Sequence, residues 1–291
     1  MQKPDVVYDE IMLLGEGPLW HPVENCLYWV DIVAATLNRL DPITKNVKKF
    51  RMPSQIGSIG WRAKGGLIAA LSDRFVSIDT ETGMVQTIAL PLQKDHQVMF
   101  NDGKCDRQGR FWAGTKDIAE KNPIGSLYRL DTAGKATEML NGFTVSNGIA
   151  WNVDNTRMYI CDSPERQIYQ YEFDPIEGRL GREFKIFAQV SEEAGFPDGL
   201  TVDSEDYVWS CHWDGWQITR YTPTGEIDSI IPMPVSRPTS CCFGGTELKT
   251  LYVTSASVRL SVSALVDAPQ SGMLFALETD VKGLVEPAYL G

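Results

Sequence analysis

Apolar and polar positions along the chain fall into short β-rich runs that recur at a regular interval. The runs are CLYWVDI from Cys26, GLIAALS from Gly66, RFWAGT from Arg110, RMYICD from Arg157, YVWSCH from Tyr207 and TLYVTSA from Thr250, each preceded by a turn. Their first apolar residues, Leu27, Leu67, Phe111, Met158, Val208 and Leu251, are separated by 40, 44, 47, 50 and 43 residues. A repeat of this length is the signature of propeller blades.

Most runs are followed by a second alternating strand and a turn rich in Asp, Gly or Pro, as in LNRLDPITKN, FVSIDTETG, SLYRLDTAGK, IYQYEFDPIEG and ITRYTPTGE. Those residues supply turn dihedrals, so the units read as meanders of antiparallel strands. Long amphipathic helical stretches are absent, and Val190 to Gly195 has room for one helical turn at most. The pattern predicts an all-β fold, a six-bladed β-propeller with about four strands per blade, as one domain over residues 1–291. Closing the ring removes exposed sheet edges. The first strand, about Val6 to Leu14, lacks a blade of its own, and the strand-like tail LVEPAYLG is expected to share one with it and clasp the ring. A β-sandwich or jelly roll explains the spacing poorly.

Aligning the units from just before each run, as EGPLWHPVENCLYW, GSIGWRAKGGLIA, NDGKCDRQGRFW, NGIAWNVDNTRMY, DGLTVDSEDYVW and SCCFGGTELKTLYV, places Glu16, Gly57, Asn101, Asn147, Asp198 and Ser240 in one slot. They stand 11, 10, 10, 11, 10 and 11 residues before the six markers. In a propeller, positions leading into the innermost strands converge at one mouth of the central channel. Two carboxylates and two carboxamides brought together raise each other's electrostatic cost, which a hard divalent cation relieves. An all-oxygen set suits Ca²⁺, Mg²⁺ or Mn²⁺, and Zn²⁺ also accepts carboxylate oxygen. Asn-Asp-Gly, Ser-Asn-Gly and Pro-Asp-Gly taken singly also read as plain turns. Turn chemistry does not account for Glu16 in the same slot, nor for the shared register.

Composition narrows the function classes. Of 291 residues, 43% are apolar, enough for a large core. The 27 Lys and Arg against 38 Asp and Glu give a formal charge of −11 with no basic run, which argues against nucleic-acid or anionic-membrane partners. With no apolar stretch of spanning length and a charged beginning, the chain is expected to be cytoplasmic, as a monomer or weak homo-oligomer. Six cysteines without C-x-x-C spacing are expected to be buried free thiols, Cys241 and Cys242 on alternate faces of one strand.

The motifs GEGPLWHP with YWVDI, FNDGKCDRQGRFWAGT, GSLYRLD, VSNGIAWNVD, FPDGLTVDSEDYVW and PTSCCFGG followed by LYVTSA resemble those of the SMP-30/gluconolactonase/luciferin-regenerating family across nearly the whole chain. The resemblance implies a six-bladed propeller with one divalent metal ion, ligated by the residues matching Glu16, Asn147 and Asp198. It leaves open whether that ion is calcium, zinc, manganese, magnesium or iron. It further implies that Asn101 contacts substrate beside the metal, and that the substrate is a small-molecule sugar lactone. Family members often carry Arg two residues before that Asn, where this chain has Met99. Lys116 and His96 are the candidates to replace that polarity.

On this reading the metal polarises the lactone carbonyl, and Asp198 serves as general base toward the attacking water. A Ser-His-Asp triad is disfavoured, because His21, His96 and His212 come without a G-x-S-x-G elbow. His21 is expected to be structural, whereas His212, taken to end an innermost strand, is a candidate for the pocket wall. Trp213 and Trp216 are expected to pack between blades rather than stack on a sugar. The competing functions are a non-catalytic calcium-binding propeller and a hydrolase of other esters or organophosphates.

Overall fold

In a computed structural model, which describes residues 3–93 and 95–291, six four-stranded antiparallel sheets form a six-bladed β-propeller. Strand β1 (Asp5–Tyr8) comes first. Blade one is β2 (Gly15–His21), β3 (Cys26–Asp31), β4 (Thr36–Leu40) and β5 (Val47–Arg51); blade two is β6 (Ile56–Trp61), β7 (Leu67–Leu71), β8 (Phe75–Ile78) and β9 (Val85–Ala89). Blade three is β10 (Val98–Cys105), β11 (Phe111–Asp117), β12 (Gly125–Leu130) and β13 (Ala136–Phe143). Blade four is β14 (Ser146–Trp151), β15 (Arg157–Asp162), β16 (Gln167–Asp174) and β17 (Arg179–Gln189). Blade five is β18 (Phe196–Val202), β19 (Val208–Trp213), β20 (Gln217–Tyr221) and β21 (Ile227–Pro232). Blade six is β22 (Pro238–Gly244), β23 (Thr250–Ser255) and β24 (Leu274–Glu278), completed by β1 at its outer edge.

Strand pattern explains this order. In β3, Leu27 and Trp29 face one neighbouring blade while Cys26, Tyr28 and Val30 face the other, the two-residue alternation of a strand buried on both sides. The outer strand β9 is largely uncovered, as an edge requires. Six hydrophobic clusters result, one between each pair of adjacent blades. Innermost strands β2, β6, β10, β14, β18 and β22 touch in that cyclic order, which sets blade three opposite blade six.

The recurring runs used as sequence markers are the second strands of the blades. The slot residues therefore lie inside the innermost strands rather than ahead of them, at or beside a register shift in every one. The Gly-containing tripeptides that read as turns are β-bulges, which re-aim the side chains around them.

Ring closure differs from the sequence expectation. β1 pairs with β24, Val6 opposite Phe275, and so occupies the free edge of blade six alone. The tail closes the far end of the channel instead: Tyr289 N–H donates to Trp61 O (2.8 Å), Leu290 N–H to Gly109 O (3.0 Å), and Trp61 Nε1 to Glu286 O (2.7 Å). Gly109 has φ of +79°, and a Cβ there would lie 2.2 Å from the Leu290 side chain. The turn expected near Val190–Gly195 is a single 3-10 turn, Glu192–Ala194; another 3-10 turn, Ser163–Glu165, follows β15, and a short helix, α1 (Val262–Asp267), follows β23 with Ser261 as its cap. All six cysteines are free and buried, with Cys241 and Cys242 in different interblade clusters. No helix among the described residues is long and apolar enough to cross a membrane.

Candidate active site

The bulges present four of the six slot residues to one cavity of about 520 Å³. Glu16, Asn101, Asn147 and Asp198 all line it, together with apolar walls that include Leu14, Ile32, Met99 and Val145. Gly57 and Ser240 do not. Gly57 is where the neighbouring backbone passes, since a Cβ on it would sit 2.3 Å from the Asn101 carbonyl oxygen. Ser240 faces the narrow channel below the cavity, beside Gly199.

Each slot side chain is held in place by its neighbours. Asp31, at the end of β3, accepts the N–H groups of Leu13 (2.9 Å) and Leu14 (3.2 Å), just ahead of Glu16. Asp162, at the end of β15, accepts those of Thr144 (2.8 Å) and Val145 (2.9 Å), just ahead of Asn147. One clamp is thus repeated in blades one and four. Asn101 Nδ2 donates to Asn147 Oδ1 (2.6 Å) and to Ser146 O (3.0 Å), and Asn147 Nδ2 donates to Ser163 Oγ (2.9 Å), which donates to Pro197 O (2.7 Å). Blades three, four and five are linked through this chain.

Asp102, which the sequence reading passed over, lies in the same bulge as Asn101 but turns away from the cavity. Its carboxylate accepts the N–H groups of Gly103 (2.7 Å) and Gly148 (2.9 Å). Below it, Lys104 Nζ bonds Glu286 (2.9 Å) and Leu200 O (3.1 Å), tying the channel to the tail. Glu16 and Asp198 are buried, Asp102 is half-buried, and the three lie close enough for their charges to act on one another. Burial, then the Asp102 charge, pushes Glu16 up to about 8. Burial, then Glu16 and Asp102, pushes Asp198 well above the usual carboxylate range, and burial raises Asp102 against the pull of Lys104. Lys116 exerts an opposing pull on Glu16 and Asp198 yet pairs with Glu120 (2.8 Å).

Those two cavity carboxylates and the Asn147 carboxamide fit a hard divalent cation by donor type. Their acids are buried and made costly by proximity, which is the condition a bound cation relieves. The set is not one of clustered acids, cysteines and histidines: among the described residues no group of three or more His, Cys, Asp or Glu converges as a metal site.

Other sequence candidates distribute unevenly. Lys116 lines the cavity; it is the cross-strand partner of Met99, so both project from one face of the β10–β11 pair. His96 is exposed on the loop before β10 and does not line the cavity. His212, a candidate for the wall, does not line the cavity: it belongs to a second strand, β19, and its Nδ1 bonds Ala194 O (2.9 Å) in a buried setting. His21 is buried against Tyr28 and Trp61, as a structural residue is. Trp213, expected in interblade packing, lines the cavity with Arg237 over its ring, whereas Trp216 is exposed on the surface. Glu120 and Arg259 also line the cavity and carried no signal in the repeat, because both sit on loops without blade register.

The chain is similar in sequence and fold to known proteins. The family described as "SMP-30/Gluconolactonase/LRE-like region" matches residues 14–257. A 6-deoxy-6-sulfogluconolactonase of Pseudomonas putida is 36% identical over 280 residues, covering 96% of each chain. A putative sugar lactone lactonase, YvrE, of Bacillus subtilis is 31% identical over 285 residues, covering 97% of each. Among solved structures, a calcium-binding protein, regucalcin, of Agrobacterium tumefaciens superimposes with a TM-score of 0.95 at 26% identity, covering 99% of this chain and 97% of that one.

Proposed function

Because this chain belongs to the SMP-30/gluconolactonase/LRE-like family, we propose that it is a metal-dependent lactonase that opens a sugar lactone to the corresponding sugar acid. The observation that carries the reading is the convergence of Glu16, Asn101, Asn147 and Asp198 on one cavity. Glu16, Asn147 and Asp198 would hold the divalent cation, which supplies positive charge to polarise the lactone carbonyl and stabilise its developing oxyanion. Asp198 takes a proton from the attacking water as its oxygen bonds the carbonyl carbon, and returns it to the ring oxygen as the acyl–oxygen bond breaks. Asn101 fixes the Asn147 carboxamide and stands where the lactone enters. Leu14, Ile32, Met99 and Val145 cover the apolar face of the sugar and limit water around the carbonyl.

A pH-indicator assay over a panel of lactones tests this, using metal-stripped protein with one ion restored at a time. Restored activity with wild type and a loss of about 10²- to 10⁴-fold in kcat for Asp198→Asn are expected. Asn101→Ala should mainly weaken substrate handling. Full turnover by metal-free Asp198→Asn protein would sink the mechanism. The panel also carries aryl esters and organophosphates, and binding of calcium with no turnover of any substrate would instead favour a non-catalytic propeller.

A further inference from the structure

One ion-pair cluster of the cavity rim is used by nothing in the hydrolytic reading. Glu120, in the turn after β11 of blade three, accepts Lys116 Nζ on Oε1 (2.8 Å) and Arg259 Nη1 on Oε2 (2.9 Å). Arg259 lies on the loop after β23 of blade six, and blades three and six are opposite in the ring. The Arg259–Glu120 pair is therefore a bar across the mouth. We propose, resting on the lactonase reading, that Lys116 and Arg259 form an anion subsite, and that the cognate substrate is a sugar lactone with a negatively charged group at the end remote from its lactone carbonyl.

Position supports this. Lys116 stands opposite Met99 on the same face of the sheet, so a cation reaches the cavity at this level although residue 99 is apolar. Lys116 and Arg259 are the cationic side chains in the cavity lining among the described residues. They engage the two oxygens of one carboxylate, so Glu120 occupies the place that a substrate carboxylate, sulfonate or phosphate would take. Exchange is easy on the Arg259 side, where the side chain is 67% exposed and such pairs hold little energy. Lys116, 15% exposed, is the fixed half of the subsite. The Arg259 loop is anchored below its head: Ser257 and Val258 N–H groups both bond Leu13 O. With Glu120 counted, the rim carries one net positive charge in a chain of net −11, a local reversal that a neutral sugar does not need. The acids line the same cavity as the two cations, so a substrate holding its anion between Lys116 and Arg259 can turn its lactone toward Asp198.

The test compares kcat/KM for gluconolactone with that for its terminally sulfonated, phosphorylated and carboxylated counterparts, using metal-loaded wild type, Lys116→Met, Arg259→Ala and Glu120→Gln. Wild type should prefer at least one anionic lactone by about tenfold or more, and the three arms identify which anion fits. Lys116→Met and Arg259→Ala should each lower that preference about tenfold, chiefly through KM of the anionic substrate. Glu120→Gln frees both cations and should raise the preference. The preference should also shrink with added salt, most of all where Arg259 contributes. Hydrolysis of the neutral lactone with equal or better efficiency than every anionic one, or variants that leave the ratio unchanged, overturns the anion subsite alone. Hydrolysis of no lactone overturns the lactonase reading, and the subsite with it.

Discussion

Replacing Asp31 separates the scaffold of the site from its chemistry. Its buried carboxylate accepts three backbone N–H groups, those of Leu13 (2.9 Å), Leu14 (3.2 Å) and Ala34 (3.0 Å), and touches neither cavity nor substrate. Hydrogen bonds to a charged group contribute about 1.5–3 kcal/mol each when buried. Leu13 is exposed and regains water, so Asp31→Ala should cost about 3 kcal/mol in all rather than the full sum of three bonds. Asp31→Asn keeps one acceptor oxygen and should cost about 1–2 kcal/mol. The clamp holds the strand start from which Glu16 projects, so cation affinity should fall about 10- to 100-fold as well, as it does when the groups orienting a ligand are removed. Urea denaturation of metal-free protein reads the first effect and calorimetric titration with calcium or zinc the second. Asp162→Ala should reproduce both through Asn147, because it accepts Thr144 and Val145 in the equivalent place. An Asp31→Ala protein with wild-type stability and wild-type cation affinity would refute the clamp.

Two further outcomes follow from buried groups. Burial lowers His212 to about 4, so it stays neutral in the fold while the unfolded chain protonates near its ordinary 6.5. Its contribution is complete above about pH 6.5 and is lost as the pH falls toward 4, about 2 kcal/mol between pH 7 and pH 5. The raised Glu16, Asp102 and Asp198 act in the opposite sense, since the folded metal-free protein binds their protons more readily. The measurement is therefore the difference between wild type and His212→Gln in urea at the two pH values, and a difference independent of pH would count against the assignment. Gly57→Ala should destabilise by about 2 kcal/mol or more and lower turnover, because its Cβ meets the Asn101 carbonyl at 2.3 Å; a variant with unchanged melting temperature and rate would show that the backbone there yields freely.

How much of the site was legible in the sequence depends on which parts of the chain repeat. Innermost strands repeat in register, so one alignment of six slots found Glu16, Asn101, Asn147 and Asp198, and the cavity does collect those four. The same alignment was silent on Asp102, because a bulge sets two residues against one, sending Asn101 to the cavity and its neighbour to the channel below. Nothing in a one-letter pattern marks which side a bulged residue takes. The tail was misassigned for a related reason: LVEPAYLG has strand-like residues, but the open edge of blade six was already filled by β1, and pairing is decided by which edge is free rather than by propensity. Lys116 is legible because it lies near the end of a marker strand, whereas Glu120 and Arg259 lie on loops of unequal length that share no register with other blades. Rim residues reach one another through the closed ring, across 139 positions of sequence in the case of Glu120 and Arg259. The repeat therefore encodes the floor of the cavity, where the proposed hydrolysis would take place, while the rim that would choose the substrate is specified by the parts of the chain that do not repeat.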